Sequence, residues 1–156
     1  MTGHLHSIHI NRDGGVPKYR IEEARITPLG VEGDKQNNTK HHGGIMKAVC
    51  LFSLEVISNL QSQGHPIDCG TTGENIVVTG LDWKDVQAGA ILDIGEVKLE
   101  ITMPASPCYK IAESFVEGDF SCISHDLDPA SSRMYAKVLQ EGDVKTGDAV
   151  SLVSSS

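Results

Sequence analysis

The chain has 156 residues, of which 39% are hydrophobic and 22% are charged, a composition that fits one soluble globular domain and excludes a disordered chain. No apolar run approaches the roughly 20 residues of a membrane span, and the N-terminus lacks the features of a secretory signal. The formal net charge of −8 argues against nucleic-acid or acidic-membrane binding, because both require clustered cations. We expect a cytoplasmic protein whose residues 1–156 form a single domain, with no nucleic-acid or membrane partner.

The first half of the chain predicts short strands and one helix. Strands are expected at 5–10, 25–27 and 48–52, where β-branched and other apolar residues lie between turn residues. Ser53 suits a helix N-cap, and apolar residues follow it at helical spacing until Gly64. This segment carries the clearest helix signal in the sequence.

The second half is dominated by strand signals. Gly95-Glu96 is a two-residue loop with glycine first, which favours a type II′ hairpin. Short helical segments are expected at 81–86, with Trp83 as an apolar plug, and at 110–116. Strands are expected at 75–79, 90–94, 97–103, 135–140 and 149–153, the last two forming a closing hairpin. Many short strands with one or two short helices predict a mainly β fold, a closed or nearly closed β-barrel.

A basic segment interrupts this acidic chain between residues 33 and 47. It has no apolar periodicity and is expected to be a loop, in which Gly43 and Gly44 would let backbone N–H groups approach a ligand. Cations beside exposed amides suit an anion such as a phosphate. The alternative is a solvated polar loop. The basic side chains are Lys35, Lys40, His41, His42 and Lys47.

Two further loops adjoin predicted strands, one just before the strand at 75–79 and the other directly after the strand at 97–103. In the segment from Gly70 to Asn75, the Asn75 side chain and the amides near Gly73 would bind a polar ligand, or the segment is a turn with Glu74 on the surface. The segment from Pro104 to Lys110 is stiffened by two prolines and carries Cys108 at its tip.

A thiolate is a nucleophile and a soft-metal ligand, and a nearby cation lowers the pKa of a thiol. The alternative for Cys108 is a half-buried thiol without a role. No C-x-x-C pair is present, so the four cysteines are expected to be free thiols and to form neither a zinc site nor a redox pair. Arg133 is either a surface charge or, in a barrel mouth, a bidentate phosphate ligand.

In this order and spacing, these segments resemble the MOSC domain, the module named for the C-terminal part of molybdenum cofactor sulfurases. The resemblance covers residues 5–153 and is closest to the bacterial stand-alone MOSC proteins. The matching stretches are Gly33-Asp34, His42-Gly43-Gly44, Lys47-Ala48-Val49, Gly73-Glu74-Asn75, Gly95-Glu96, Pro107-Cys108, Gly118-Asp119-Phe120, Ser132-Arg133-Met134-Tyr135-Ala136 and Gly147-Asp148.

The resemblance implies a β-barrel that binds the molybdenum cofactor (Mo-molybdopterin), a pterin dithiolene bearing a phosphate. We expect the cofactor to be absent from purified protein. Cys108 maps onto the family's characteristic cysteine, which implies a catalytic residue that is a molybdenum ligand or a persulfide sulfur carrier. The cofactor's anionic end, its pterin and the surrounding wall are assigned to Lys35, Lys40, His42, Gly43, Gly44, Lys47, Gly73, Glu74, Asn75, Lys110 and Arg133.

Three functions stay open at this point. A carrier would hand cofactor or sulfur to another protein and would need a sulfur donor such as a cysteine desulfurase. An enzyme would reduce N-hydroxylated bases or amides and would need a redox partner protein, because the chain has no flavin, haem or iron–sulfur motif. The third function is that of a non-catalytic interaction domain.

Overall fold

The computed structural model describes residues 2–35 and 44–155, without the side chains of residues 154 and 155. Within these residues the chain forms eleven strands, one α-helix and six short 3-10 turns. The strands are β1 (Thr2–Ile10), β2 (Tyr19–Ile21), β3 (Glu23–Thr27), β4 (Gly30–Val31), β5 (Val49–Ser53), β6 (Ile76–Thr79), β7 (Ala90–Ile94), β8 (Val97–Pro104), β9 (Met134–Gln140), β10 (Gly142–Lys145) and β11 (Ala149–Ser155). The helix is α1 (Leu54–Ser62), and the 3-10 turns are Ile45–Lys47, Trp83–Asp85, Tyr109–Ser114, Val116–Gly118, Phe120–Ile123 and Pro129–Ser131.

Seven strands close into a barrel. Their order is β11-β7-β8-β9-β5-β6-β1, and β1 pairs with β11 to close the ring, while β2 extends the sheet beyond β1. The pair β5–β6 is parallel and is connected through α1, whereas the other pairs in the ring are antiparallel. The predicted mainly β barrel is confirmed. Within the part of the chain described here, no helix is long and apolar enough to cross a membrane.

The barrel encloses the larger of two hydrophobic clusters. In β8, Val97, Leu99 and Ile101 are buried and the intervening residues are partly exposed, as the alternation predicts. The 3-10 turn at Trp83–Asp85 places the buried Trp83 against the barrel, where its Nε1 donates a hydrogen bond to the Ser132 carbonyl at 2.7 Å. The smaller cluster lies between α1 and the segment after β8, and it holds that segment in place.

The local signals in the sequence correspond to observed contacts. The Ser53 side chain accepts a hydrogen bond from the Val56 N–H at 3.3 Å at the start of α1, and Ile57 and Leu60 are buried. Gly95 has a φ of 54°, which agrees with a hairpin turn that begins with glycine. The predicted N-cap and the β7–β8 hairpin are therefore confirmed.

The predicted closing hairpin between 135–140 and 149–153 is wrong. β9 pairs with β5 and β8, whereas β11 pairs with β1 and β7. The residues between them form β10, which pairs with β3 in a separate three-stranded sheet. β10 has its own alternation, with Val144 buried and Asp143 and Lys145 exposed, so the chain leaves the barrel after β9 before it returns as β11.

Candidate functional site

A cavity of about 410 Å³ opens at the end of the barrel where β8 ends and β9 begins. Its wall is built from loops that lie far apart in the sequence and from the first residues of β5 and β9. The lining residues are Gly15, Val16, Lys18, Asp34, Lys35, Lys47, Cys50, Thr72, Gly73, Asn75, Ser106, Cys108, Lys110, Ile111, Arg133 and Tyr135.

The cavity wall is strongly cationic. Among the described lining residues, five carry a positive side chain and one carries a carboxylate, Asp34. This excess occurs in a chain of net charge −8, so the positive charge is local to the cavity and favours an anionic ligand there. The five cations are Lys18, Lys35, Lys47, Lys110 and Arg133.

Cys108 is held in the wall by anchors on both sides of it. Before it, the Ala105 N–H donates to the Arg133 carbonyl at 3.0 Å and ties the loop to β9. After it, the Ile111 N–H donates to the Cys108 carbonyl at 3.1 Å, and the Ile111 side chain is buried in the smaller hydrophobic cluster. The half-buried thiol therefore lies in the same cavity as Lys35 and Lys47 of the basic segment.

Lys47 is positioned by contacts to β8 and β9. Its ammonium nitrogen lies 5.4 Å from the centroid of the Tyr135 ring, within the range of a cation–π interaction. The Thr102 hydroxyl donates to the carbonyl of the neighbouring Met46 at 2.6 Å and fixes the 3-10 turn that carries Lys47. Burial raises the pKa of Tyr135, so its hydroxyl is protonated at neutral pH.

Arg133 is almost fully buried and joins two loops of the cavity. Its Nη1 donates to the Thr72 carbonyl at 2.5 Å and its Nη2 donates to the Ala105 carbonyl at 3.3 Å. The Nε of Arg133 has no hydrogen-bond partner among the residues described. A buried donor without a partner is unfavourable.

Asn75 holds three parts of the cavity wall together. Its Oδ1 accepts from the Cys50 N–H at 3.1 Å, and its Nδ2 donates to the His9 carbonyl at 3.2 Å and to Asp34 Oδ2 at 2.9 Å. Both amide hydrogens are therefore bonded to protein atoms, and the side chain acts as a brace within the wall.

Glu74 is not part of the described cavity wall. Its side chain is fully buried and does not line the wall, although its neighbours Gly73 and Asn75 do. Burial raises the pKa of Glu74, whose Oε1 accepts from the Thr72 hydroxyl at 3.0 Å. The alternative that places Glu74 on the surface is wrong.

The remaining predicted site residues divide into three groups. Lys35, Lys47, Gly73, Lys110 and Arg133 line the cavity together with Cys108. Gly44 is exposed and does not line it. Lys40, His42 and Gly43 lie outside the described residues. Within residues 2–35 and 44–155, no group of three or more His, Cys, Asp or Glu side chains could hold a metal ion.

Sequence reasoning missed nine of the sixteen described residues that line the cavity, and four of these nine carry an ionisable side chain. Asp34 and Tyr135 were within reach, because each lies in one of the matching stretches, but Lys18 and Cys50 have no local signal. Cys50 is buried within β5, and burial raises the pKa of its thiol to about 11. Its position opposite Tyr135 in the β5–β9 pair brings a second thiol into the cavity.

The buried side chain of His9 is expected to make the stability of the folded protein depend on pH. Its ring is buried beside Gly70, and burial lowers its pKa from 6.5 to about 4. Below pH 6.5 the unfolded chain binds a proton that the folded chain excludes, so stability is complete above that pH and falls as the pH falls towards 4. The full shift corresponds to at most about 3 kcal/mol, and solvent screening reduces the expected loss to about 2 kcal/mol.

Urea denaturation of the wild type and of His9→Gln, at about pH 7 and about pH 4.5, measures this dependence. The variant should lose about 2 kcal/mol less than the wild type on acidification. His4→Gln, on the exposed side of the same strand, is the control and should behave as the wild type. Equal acid losses in the wild type and His9→Gln would contradict the assignment.

The fold and the cavity define a β-barrel protein in which a thiol and an excess of cations share one cavity. A profile of the MOSC domain matches residues 38–151, which is more than half of the chain. The chain belongs to the MOSC domain family, as the resemblance in the sequence implies. This family is associated with the molybdenum cofactor.

Three curated proteins are similar in sequence. Protein YiiM from Escherichia coli (strain K12) is 30% identical over 125 residues, which cover 77% of this chain and 56% of YiiM. Protein YflK from Bacillus subtilis (strain 168) is 31% identical over 124 residues, which cover 79% of this chain and 55% of YflK. A protein named Reductase from Gibberella moniliformis is 28% identical over 129 residues, which cover 80% of this chain and 22% of that protein. The chain spans a little over half the length of the two bacterial relatives.

A solved structure is also similar. The crystal structure of YiiM from Geobacillus stearothermophilus superposes with a TM-score of 0.74 at 24% sequence identity and covers 97% of this chain and 75% of that chain. This likeness supports the barrel fold.

Proposed function

We propose that this protein binds the molybdenum cofactor in the cationic cavity, with Cys108 contacting the metal or carrying sulfur to it. The observation that carries the proposal is that one cavity contains the Cys108 thiol and five cationic side chains. A thiolate is a soft ligand that suits molybdenum and sulfur chemistry. The surrounding cations suit the phosphate of the cofactor.

The residues present fit such a group. Lys35, Lys47 and Lys110 would attract the phosphate, and the Arg133 guanidinium would add its positive charge from the wall. Cys108 would be the ligand on the metal side. When bound, the group supplies a metal centre that exchanges electrons or sulfur, and the chain supplies the binding site.

A second candidate function is a molybdenum-dependent reductase of N-hydroxylated bases or amides. It is favoured by the name of one relative, Reductase, which is 28% identical to the chain. The electrons would come from a redox partner protein. Turnover of an N-hydroxylated base with added reductant would support the enzyme, whereas a persulfide on Cys108 after incubation with a cysteine desulfurase and cysteine would support the carrier.

Anaerobic loading tests the proposal directly. Purified protein is incubated with molybdenum cofactor released from a donor protein and desalted, and molybdenum and pterin are then measured per chain. Retention of both in about equal amounts supports the proposal. Retention of neither contradicts it and favours an interaction domain.

The charge of the cavity predicts the alkylation behaviour of Cys108. Iodoacetate is an anion and iodoacetamide is neutral, so the ratio of their rates at Cys108 reports the local potential. Lys47→Gln should lower this ratio about threefold, since two unit charges about 6 Å apart interact by about 0.7 kcal/mol at the dielectric constant of water. Peptide mass spectrometry follows Cys108 apart from the other cysteines.

Lys98→Gln is the matched control, because Lys98 lies on β8 and pairs with Asp93 at 3.1 Å, away from the cavity. Its ratio should equal that of the wild type. If Lys47→Gln has the same ratio as the wild type, the charge of Lys47 does not act on Cys108. This result would remove the basis of the proposal.

A further inference from the structure

We propose that the Lys18–Asp34 pair forms a subsite that binds a neutral hydrogen-bond acceptor of the ligand, such as a ring carbonyl oxygen or a ring nitrogen. The subsite rests on the proposed function, because it concerns the heterocyclic part of the same ligand. It assigns the neutral and the anionic ends of that ligand to different parts of the cavity.

The pair lies in the inner part of the wall. Lys18 Nζ is 2.7 Å from both oxygens of Asp34, and the two side chains are only 10% and 4% exposed. The Asn11 N–H donates to Asp34 Oδ1 at 2.9 Å, and Asn75 Nδ2 donates to Asp34 Oδ2 at 2.9 Å. Four bonds use the acceptor capacity of the carboxylate, so Asp34 orients Lys18 and does not accept a hydrogen bond from the ligand.

Lys18 keeps one donor for the cavity. An ammonium group has three N–H donors, and its described bonds go to the two oxygens of Asp34. Because the carboxylate lies at 2.7 Å, the pair as a whole carries no net charge. Lys18 therefore offers a directed hydrogen bond without attracting an anion, and this combination matches a neutral acceptor.

The anionic end of the ligand belongs elsewhere in the cavity. The single carboxylate of the described wall is bonded to Lys18, so the excess positive charge is carried by the other four cations. Of these, Lys35 and Lys110 lie on exposed segments at the outer part of the wall. A fused pterin ring with a phosphate on its side chain has both features, a neutral acceptor edge and an anion.

Two fluorescent probes separate these features: 6-hydroxymethylpterin, which is neutral, and its phosphate monoester. The test variant is Lys18→Met/Asp34→Asn, because Lys18→Met alone would leave a buried carboxylate unpaired. We expect this double variant to bind both probes about tenfold more weakly, as expected for one lost hydrogen bond. Lys35→Gln should weaken the phosphate ester alone.

Lys98→Met/Asp93→Asn removes an ion pair of the same type from the exposed outer face of the barrel and should leave both affinities unchanged. The subsite is overturned if the Lys18→Met/Asp34→Asn protein, folded by circular dichroism, binds both probes as the wild type does. It is also overturned if only the phosphate ester is weakened, because Lys18 would then act as a net cation.

If the wild type binds neither probe, the proposed function is contradicted. The subsite is then tested separately, through the ratio of iodoacetate to iodoacetamide rates at Cys108. A neutral pair requires that the double variant keep the wild-type ratio of iodoacetate to iodoacetamide rates. Asp34→Asn alone should raise the ratio about threefold, because it leaves Lys18 as an uncompensated cation. A lower ratio in the double variant would show that Lys18 contributes net charge and would overturn the subsite.

Discussion

Replacing Cys108 by serine is expected to abolish molybdenum retention and sulfur loading while the barrel stays folded. The contacts that anchor this loop are made by the Cys108 carbonyl and by the buried Ile111 side chain, so the substitution of sulfur by oxygen leaves them intact. A serine hydroxyl is a harder and far less acidic ligand and cannot form a persulfide. Metal per chain after anaerobic loading should fall about a hundredfold or more, with an unchanged circular dichroism spectrum.

Cys122→Ser is the matched control. Cys122 is also half-buried, but it lies outside the cavity wall and its thiol donates to the Asp119 carbonyl at 3.3 Å, a bond that serine can reproduce. This variant should keep the metal content and cyanide-labile sulfur of the wild type. Full retention of both by the Cys108→Ser protein would show that the thiol has no part in the function.

Asn75→Ala is expected to lower the free energy of unfolding by about 3 kcal/mol. The substitution removes three hydrogen bonds and leaves the buried Cys50 N–H without an acceptor, at about 1 kcal/mol for each interaction. It also removes one of the four hydrogen bonds to the Asp34 carboxylate, so the wall around Lys18 should loosen. Urea denaturation monitored by tryptophan fluorescence measures the loss.

Asn59→Ala is the control that tests whether the loss of stability is specific to the buried position of Asn75. Asn59 lies on the exposed face of α1, and its truncation should change stability by less than about 0.5 kcal/mol. A loss below about 1 kcal/mol for Asn75→Ala would mean that the three bonds are replaced by water, and Asn75 would no longer count as the brace of the cavity.

Local patterns in the sequence were sufficient for most of the barrel. The alternation in β8, the glycine of the β7–β8 hairpin and the Ser53 cap each depend on neighbours within a few residues. The prediction of the closing hairpin failed because the strands that pair there are distant from one another in the sequence. β10 looks like part of the connection between β9 and β11, and its pairing with β3 depends on residues more than a hundred positions earlier in the chain.

The residues of the candidate site also divide into those that a local pattern indicates and those that depend on distant contacts. Cys108, Lys47 and Arg133 were found because their segments carry unusual composition or match a family pattern. Lys18 and Cys50 could not be found in this way, because one is an ordinary loop lysine and the other an ordinary strand residue. Their roles arise from long-range bonds, above all those through Asn75, which no local pattern contains.

The ring of strands closes where Thr2–His4 pair with residues 149–151, and these two segments lie near opposite ends of the described chain. A nascent chain on the ribosome cannot complete the ring until β11 has emerged, so the outer edges of β1 and β7 wait unpaired during translation. Unpaired edges are sites of aggregation, and contacts between such remote segments form slowly. Recovery of this protein from a cell should therefore improve with slower synthesis or lower growth temperature more than its equilibrium stability alone suggests.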